Sequence, residues 1–204
     1  MKWISQWSSE PLLGVRVPPG APSIMKVTFI TGNQNKADYL AKYLGYKVEH
    51  KKLDLDEIQS LDLKKIVEHK VRQAYKFTQS PVIVEDVALE FTAFGRLPGP
   101  YIKWFLEEMG FEAVCSLLDE KDRSAIARCV FGYYDGVELK LFEGSLRGSI
   151  AQKPSKDKGF GWDCMFIPEG YNVTRSELNE VEDRKTYLQI KPIEQLRLFL
   201  ESLN

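Results

Sequence analysis

Three short segments of this chain bring together residue types able to do polar chemistry. The first, Thr31-Gly32-Asn33-Gln34-Asn35-Lys36, sets a hydroxyl, amides and an ammonium beside backbone N–H groups at the end of an apolar run. Free N–H groups opening a helix suit a polyphosphate, although a capped strand-to-helix turn explains the same residues. The second is Glu85-Asp86, directly after Val82-Ile83-Val84. Neighbours on a strand point to opposite faces, so one acid could meet a ligand while the scaffold holds the other. Such carboxylates are costly to desolvate without a cation, and together with water and phosphate oxygens they are the ligands Mg²⁺ prefers. A solvated pair at a strand end is the plainer alternative. The acidic stretch Asp54-Leu55-Asp56-Glu57 offers a further ligand or only a solvated loop. The third segment is Gly159-Phe160-Gly161-Trp162-Asp163. Glycines around an aromatic let a loop close on a flat base, while core aromatics beside a turn read equally simply. Neither glycine segment matches a Walker loop or a dinucleotide fingerprint.

The elements that must position these groups follow from hydrophobic periodicity. Residues 27–30 form a β-branched and aromatic run that predicts a strand, and Ala37, Leu40, Ala41 and Leu44 predict a helix behind it. Leu63, Ile66, Val67, Val71, Ala74 and Phe77 repeat at helical spacing until Pro81, after which 82–84 reads as a buried strand. A helix is expected over 100–109, and two strands over 125–134 and 137–146 joined at Tyr134-Asp135-Gly136. A last helix is expected over 192–203. Strands mixed with helices indicate an α/β fold on a mixed central sheet flanked by helices.

Composition narrows the function classes. The 204 residues carry 28 basic and 29 acidic side chains, so a broad basic face is not expected to be the main source of affinity for a nucleic-acid polymer, whereas a local basic pocket for one phosphorylated small molecule fits. No apolar run approaches the roughly 18 residues of a membrane span. Cys115, Cys129 and Cys164 lack disulfide or zinc spacing, read as small buried hydrophobes, and make a cytoplasmic location the simplest expectation. Residues 1–24, with four prolines and no apolar period, read as an extension, disordered or arising from translation start or cloning, with Met25 the natural start. The folded domain is expected over 25–204.

Together with Val84-Glu85-Asp86 and Leu97-Pro98-Gly99-Pro100-Tyr101-Ile102-Lys103-Trp104-Phe105, the three segments stand in an order and spacing that resembles the inosine triphosphate pyrophosphatase family. The resemblance runs from Met25 to the C-terminus. It implies two lobes around a nucleotide cleft, usually in a homodimer. It also implies Mg²⁺-dependent hydrolysis of ITP, dITP and XTP to the monophosphate and pyrophosphate, cleansing the nucleotide pool. Carried over by position, it puts Thr31, Gly32, Asn33, Lys36 and Lys70 at the triphosphate. Glu57 and Asp86 fall at the metal, with Lys36 and Asp86 catalytic and Asp86 the base for water. Phe160, Gly161, Trp162 and Asp163 fall at the purine.

One segment departs from the family pattern. Family members carry Glu-Lys-Asn, two residues, then Ser-His-Arg, whereas this chain has Glu182-Asp183-Arg184, Lys185-Thr186 and Tyr187-Leu188-Gln189. A gapless alignment puts Gln189 at the base reader's position; a slipped one would put Arg184 there. An altered or broader nucleotide set is therefore an alternative, as is a nucleotide-binding protein that has lost turnover. Retention of Lys36, Glu57, Asp86 and Asp163 favours an enzyme.

Overall fold

The computed structural model describes residues 27–45, 48–156 and 159–203. The expected extension over 1–24 and the start at Met25 lie outside the described residues.

Strand β1 (Thr28–Ile30) leads into α1 (Gln34–Leu44), β2 (Glu49–Lys51), α2 (Leu63–Thr78), β3 (Val82–Phe91), β4 (Pro98–Gly99) and α3 (Ile102–Ser116). Strands β5 (Ser124–Tyr134), β6 (Leu139–Ile150) and β7 (Phe166–Pro168) follow, then α4 (Glu180–Ile190) and α5 (Ile193–Ser202). One mixed sheet runs β2-β1-β3-β5-β6-β7, with β4 added beside β3. β1 is parallel to β2 and β3, and the remaining pairs are antiparallel.

Helices cover both faces of this sheet. Leu63, Val67, Val71 and Ala74 of α2 pack on Val82, Val84 and Ala88 on one side. On the other, Leu40 of α1, Ile102 of α3, Ile190 of α4 and Leu196 of α5 share a larger core with Phe29, Ile83, Leu89 and Phe131. Alternation along β3 therefore divides its odd and even positions between two cores.

The helix ends have local causes. The Asn33 carboxamide accepts the Lys36 N–H at 3.4 Å and the Asp62 carboxylate accepts the Lys64 N–H at 3.1 Å, each satisfying a first-turn donor. Gly45 closes α1 in the left-handed region at φ 81°. In α3 the helix expected to end at Met109 breaks at Gly110, φ 79° and ψ 165°, then resumes to Ser116. The hairpin turn is held by Asp135, whose Oδ1 accepts the N–H groups of Val137 and Glu138.

Four elements lack a sequence signal, the two-residue β4 among them. β2 is three exposed polar residues and β7 is short, while α4 buries only Thr186 and Ile190, leaving no apolar stripe. The three cysteines are buried, as expected, and burial pushes the Cys129 thiol up to about 12.

Candidate active site

The site begins at an opening in the sheet. β5 pairs with β3 along all of Val82–Phe91, whereas on β3's other side β1 reaches Ile83 and β4 starts only at Leu89. Glu85 and Asp86 lie in the interval. They had been expected at a strand end; β3 instead continues to Phe91 because Leu89 and Phe91 are core residues. The division of the two acids between opposite faces is as the alternation predicts.

On one face stands Glu85. Its side chain is 3% exposed and its Oε1 lies 3.3 Å from the Lys36 ammonium, with the Lys191 ammonium on the same oxygen. Burial opposes ionisation of Glu85, but Lys191 and Lys36 outweigh it and bring the carboxyl down to about 2. Lys36 arrives on the first turn of α1. The turn before it is tied by the Asn33 N–H donating to Thr31 Oγ1 at 3.1 Å and by the Thr31 N–H donating to the Lys51 carbonyl at 3.0 Å.

On the other face, Lys70 from α2 joins two carboxylates. Its Nζ lies 2.7 Å from Asp86 Oδ2 and 2.8 Å from Glu57 Oε1. Burial acts against the Lys70 charge, but Asp86 and Glu57 outweigh it and raise its pKa; the Lys70 hydrogen bond lowers that of Glu57. The loop bearing Glu57 is pinned to α2, since Asp56 exchanges two hydrogen bonds with Gln73, its N–H donating at 2.8 Å and its carboxylate accepting at 2.7 Å. Asp86 Oδ1 accepts the Val87 N–H at 2.9 Å, within the interval between β1 and β4.

These two acids fit Mg²⁺ in donor type. They already converge on one cation, and Glu57 is open to water on its outer side, 63% exposed. Among the described residues no third acid, cysteine or histidine completes a protein cage. A hard ion that keeps several waters and takes phosphate oxygens suits such a half-site.

The third segment folds as a loop on its own acid. Gly159 and Gly161 take φ of 58° and 62°, a region costly for residues with a Cβ. Asp163 accepts the Phe160 N–H at 3.3 Å through Oδ2 and pairs through Oδ1 with Arg175 Nη1 at 2.8 Å. Burial pushes the Asp163 carboxyl up to about 6 against the pull of Arg175, and the nearby Asp183 adds to the rise. Phe160 is exposed. Trp162 instead lies in the core, edge-on to Phe166 with centroids 5.6 Å apart. Of the two aromatics expected at a base, only Phe160 offers an open face.

Arg175 binds this loop to α4, its Nη2 on Asp183 and its Nε donating to Thr186 Oγ1 at 3.2 Å. α1 then connects the two halves of the site. Tyr39 and Tyr43, three and seven residues beyond Lys36, stack around Tyr187 of α4 with centroids 5.3 and 4.9 Å away. The structure thus gathers Thr31, Gly32, Asn33 and Lys36 near Glu85, Lys70 with Glu57 and Asp86, and Phe160 to Asp163 with Arg175. Gln189 is exposed, and its backbone carbonyl would lie 3.0 Å from a Cβ at Gly144 of β6.

Arg175, Lys191, Tyr39 and Tyr43 were not singled out from sequence. Thr174-Arg175-Ser176-Glu177 does carry a capping-box signature, and both of its hydrogen bonds form. That signature marks the turn; it does not foretell a buried guanidinium.

The sequence matches the Ham1 family over residues 27–198. The chain belongs to the Ham1 family. It is 36% identical over 192 residues to the inosine triphosphate pyrophosphatase of Scheffersomyces stipitis, covering 86% of this chain and 98% of that one. It is also 42% identical over 177 residues to inosine triphosphate pyrophosphatase 2 of Trypanosoma cruzi, covering 84% and 90%. The Ham1 fold is shared with a HAM1 protein from Coxiella burnetii, at TM-score 0.73 and 23% identity over 88% of this chain and 100% of that one. A dITP/XTP pyrophosphatase from Mycobacterium abscessus matches at TM-score 0.70 and 23% identity, covering 84% and 98%. Within this Ham1 chain the matched stretch contains every residue of the site just described.

Proposed function

We propose that this Ham1-family chain is a nucleoside triphosphate pyrophosphatase acting on non-canonical purine nucleotides such as ITP, dITP and XTP. It releases the nucleoside monophosphate and pyrophosphate. The observation that carries the reading is the opening in the sheet between β1 and β4, which bears Lys36 on Glu85 at one face and the Glu57–Asp86 pair on Lys70 at the other. The curated relatives named inosine triphosphate pyrophosphatase support the same chemistry.

The chain's own groups divide the work. The 31–36 turn and Lys36 bind phosphate oxygens and offset their charge. Glu57 and Asp86 would hold Mg²⁺, which when bound neutralises phosphate charge and makes a neighbouring water more acidic. Asp86 orients the attacking water toward the α-phosphorus and takes up its proton. As the new P–O bond forms, the bond from that phosphorus to the α–β bridging oxygen breaks, and pyrophosphate leaves with the electron pair. Phe160 supplies a stacking face for the purine, and Asp163, held by Arg175, stands at its polar edge.

A homodimer in the cytoplasm, working on free nucleotides and not on nucleic acid or membrane, completes the proposal. Among the described residues no helix is long and apolar enough to cross a membrane. A broader base choice is the second reading, favoured by the exposed position of Gln189. Pyrophosphate release measured over ITP, XTP, GTP, ATP and pyrimidine triphosphates, with and without Mg²⁺, tests both. Absence of metal-dependent release from every nucleotide would overturn the enzymatic reading.

A further inference from the structure

Two ammonium groups share one buried carboxylate oxygen. Lys36 reaches Glu85 Oε1 from the start of α1, and Lys191 reaches it from the residue that ends α4. The side chains of Glu85, Lys191 and Lys36 are 3%, 11% and 21% exposed, so the cluster is largely desolvated. One carboxylate balances one ammonium, and the cluster keeps one surplus positive charge.

The groups facing Lys191 do not cancel it. Besides Glu85 they are the Cys129 thiol and the Tyr187 phenol, both pushed by burial toward their neutral forms. Asp163 influences Lys191 only weakly and is paired with Arg175, while Asp86 faces the other side of β3 on Lys70. A buried surplus charge is expensive unless an anion arrives to share it. The side of the cluster nearest Lys36 is also where the 31–36 turn begins α1.

We propose that Lys191 is a second phosphate-binding ammonium of this site. Lys36 and Lys191 together grip the polyphosphate, and Glu85 is the positioning residue that aims both. The proposal rests on the pyrophosphatase reading for its substrate, but it makes a separate claim about anion binding. It also differs from a structural ion pair in a measurable way. Lys191→Met leaves Glu85 paired with Lys36 and removes the surplus charge, so the fold should hold its melting temperature while anion affinity falls.

The probe is inorganic tripolyphosphate, which has no base to read. Calorimetry in metal-free buffer on the full chain should give a dissociation constant roughly 10- to 100-fold higher for Lys191→Met than for wild type, with Lys191→Arg recovering most of the loss. KM for every hydrolysed nucleotide should rise by a similar factor. Unchanged tripolyphosphate affinity in a folded Lys191→Met, or a fall in melting temperature with affinity intact, overturns the proposal. Wild-type protein provides a control independent of folding. The Lys191 Nζ resonance should move on adding tripolyphosphate, and a resonance that stays put overturns the assignment whatever the variant does. Tripolyphosphate binding through Lys191 without turnover of any nucleotide would uphold the proposal and sink the enzymatic reading instead.

Discussion

Arg175 Nη1 donates to Asp163 Oδ1 over 2.8 Å, so the acid that closes the 159–163 loop is clamped by a guanidinium from the turn preceding α4. Asp163's other oxygen accepts the Phe160 N–H, and Arg175 also holds Asp183 and Thr186. One arginine therefore sets the spacing between the loop carrying Phe160 and the helix carrying Tyr187.

The first prediction follows from the Asp163 carboxyl, raised from its ordinary 3.8 to about 6 by burial. Between those values the folded chain binds more protons than the unfolded one, so this group's contribution to stability falls as pH rises from about 4 to about 6. The fall is up to about 3 kcal/mol and is complete above that window. Glu85 moves the opposite way, its folded pKa near 2, so its contribution is present above about 4.5 and lost as pH falls toward 2. Denaturant titrations of wild type and Asp163→Asn between about pH 2 and pH 7 separate the two. The variant should lose the decline over 4–6 and keep the acid-side loss.

Asp86→Asn removes a proposed metal ligand and base at constant volume. Turnover should fall by at least about 100-fold, the usual scale for losing a positioned general base, while the fold persists because Lys70 retains Glu57. Pyrophosphate release at saturating Mg²⁺ and a melting curve check the two halves of this statement. Activity near wild type would remove Asp86 from the chemistry.

Lys36→Ala should weaken phosphate binding by about 1.5–3 kcal/mol, the range for hydrogen bonds to charged groups. The loss should be equal for ITP, XTP and ATP. A base-dependent loss in kcat/KM would mean that Lys36 does not bind phosphate.

The two aromatics of the loop should behave differently. Phe160→Ala should raise KM with little change in stability, because the ring is exposed. Trp162→Ala should cost about 3–5 kcal/mol of stability, as large core truncations do. Equal effects of both substitutions on melting temperature would contradict the assigned burial.

Base preference should follow Arg175 and not Gln189. Arg175→Met frees Asp163 and Asp183 from their common partner and should change the ITP-to-ATP ratio of kcat/KM several-fold. Gln189→Ala should leave that ratio within about twofold, given its exposed position. A strong effect of Gln189→Ala with none of Arg175→Met would reverse the roles.

Much of this molecule was legible as a sequence because its causes are local. The stripe from Leu63 to Ala74 requires a helix packed on one face, and alternation along a strand alone sends Glu85 and Asp86 to opposite faces. The 31–36 turn, the Gly-flanked Phe160 and the 125–146 hairpin were readable for the same reason, since caps, positive φ and turn residues act within a few positions. α4 was not, because a helix that buries only a threonine and an isoleucine carries no apolar period. Nor could spacing tell Phe160 from Trp162, for burial is decided by what other elements bring, here Phe166 of β7 against the indole. The pairing of Glu85 with Lys191 spans 106 positions, and that of Arg175 with Asp163 and Asp183 joins a loop to a helix. Side-chain charge is written in the sequence, but a counter-ion is chosen only when the folded sheet and helices remove water and bring distant groups to the same oxygen.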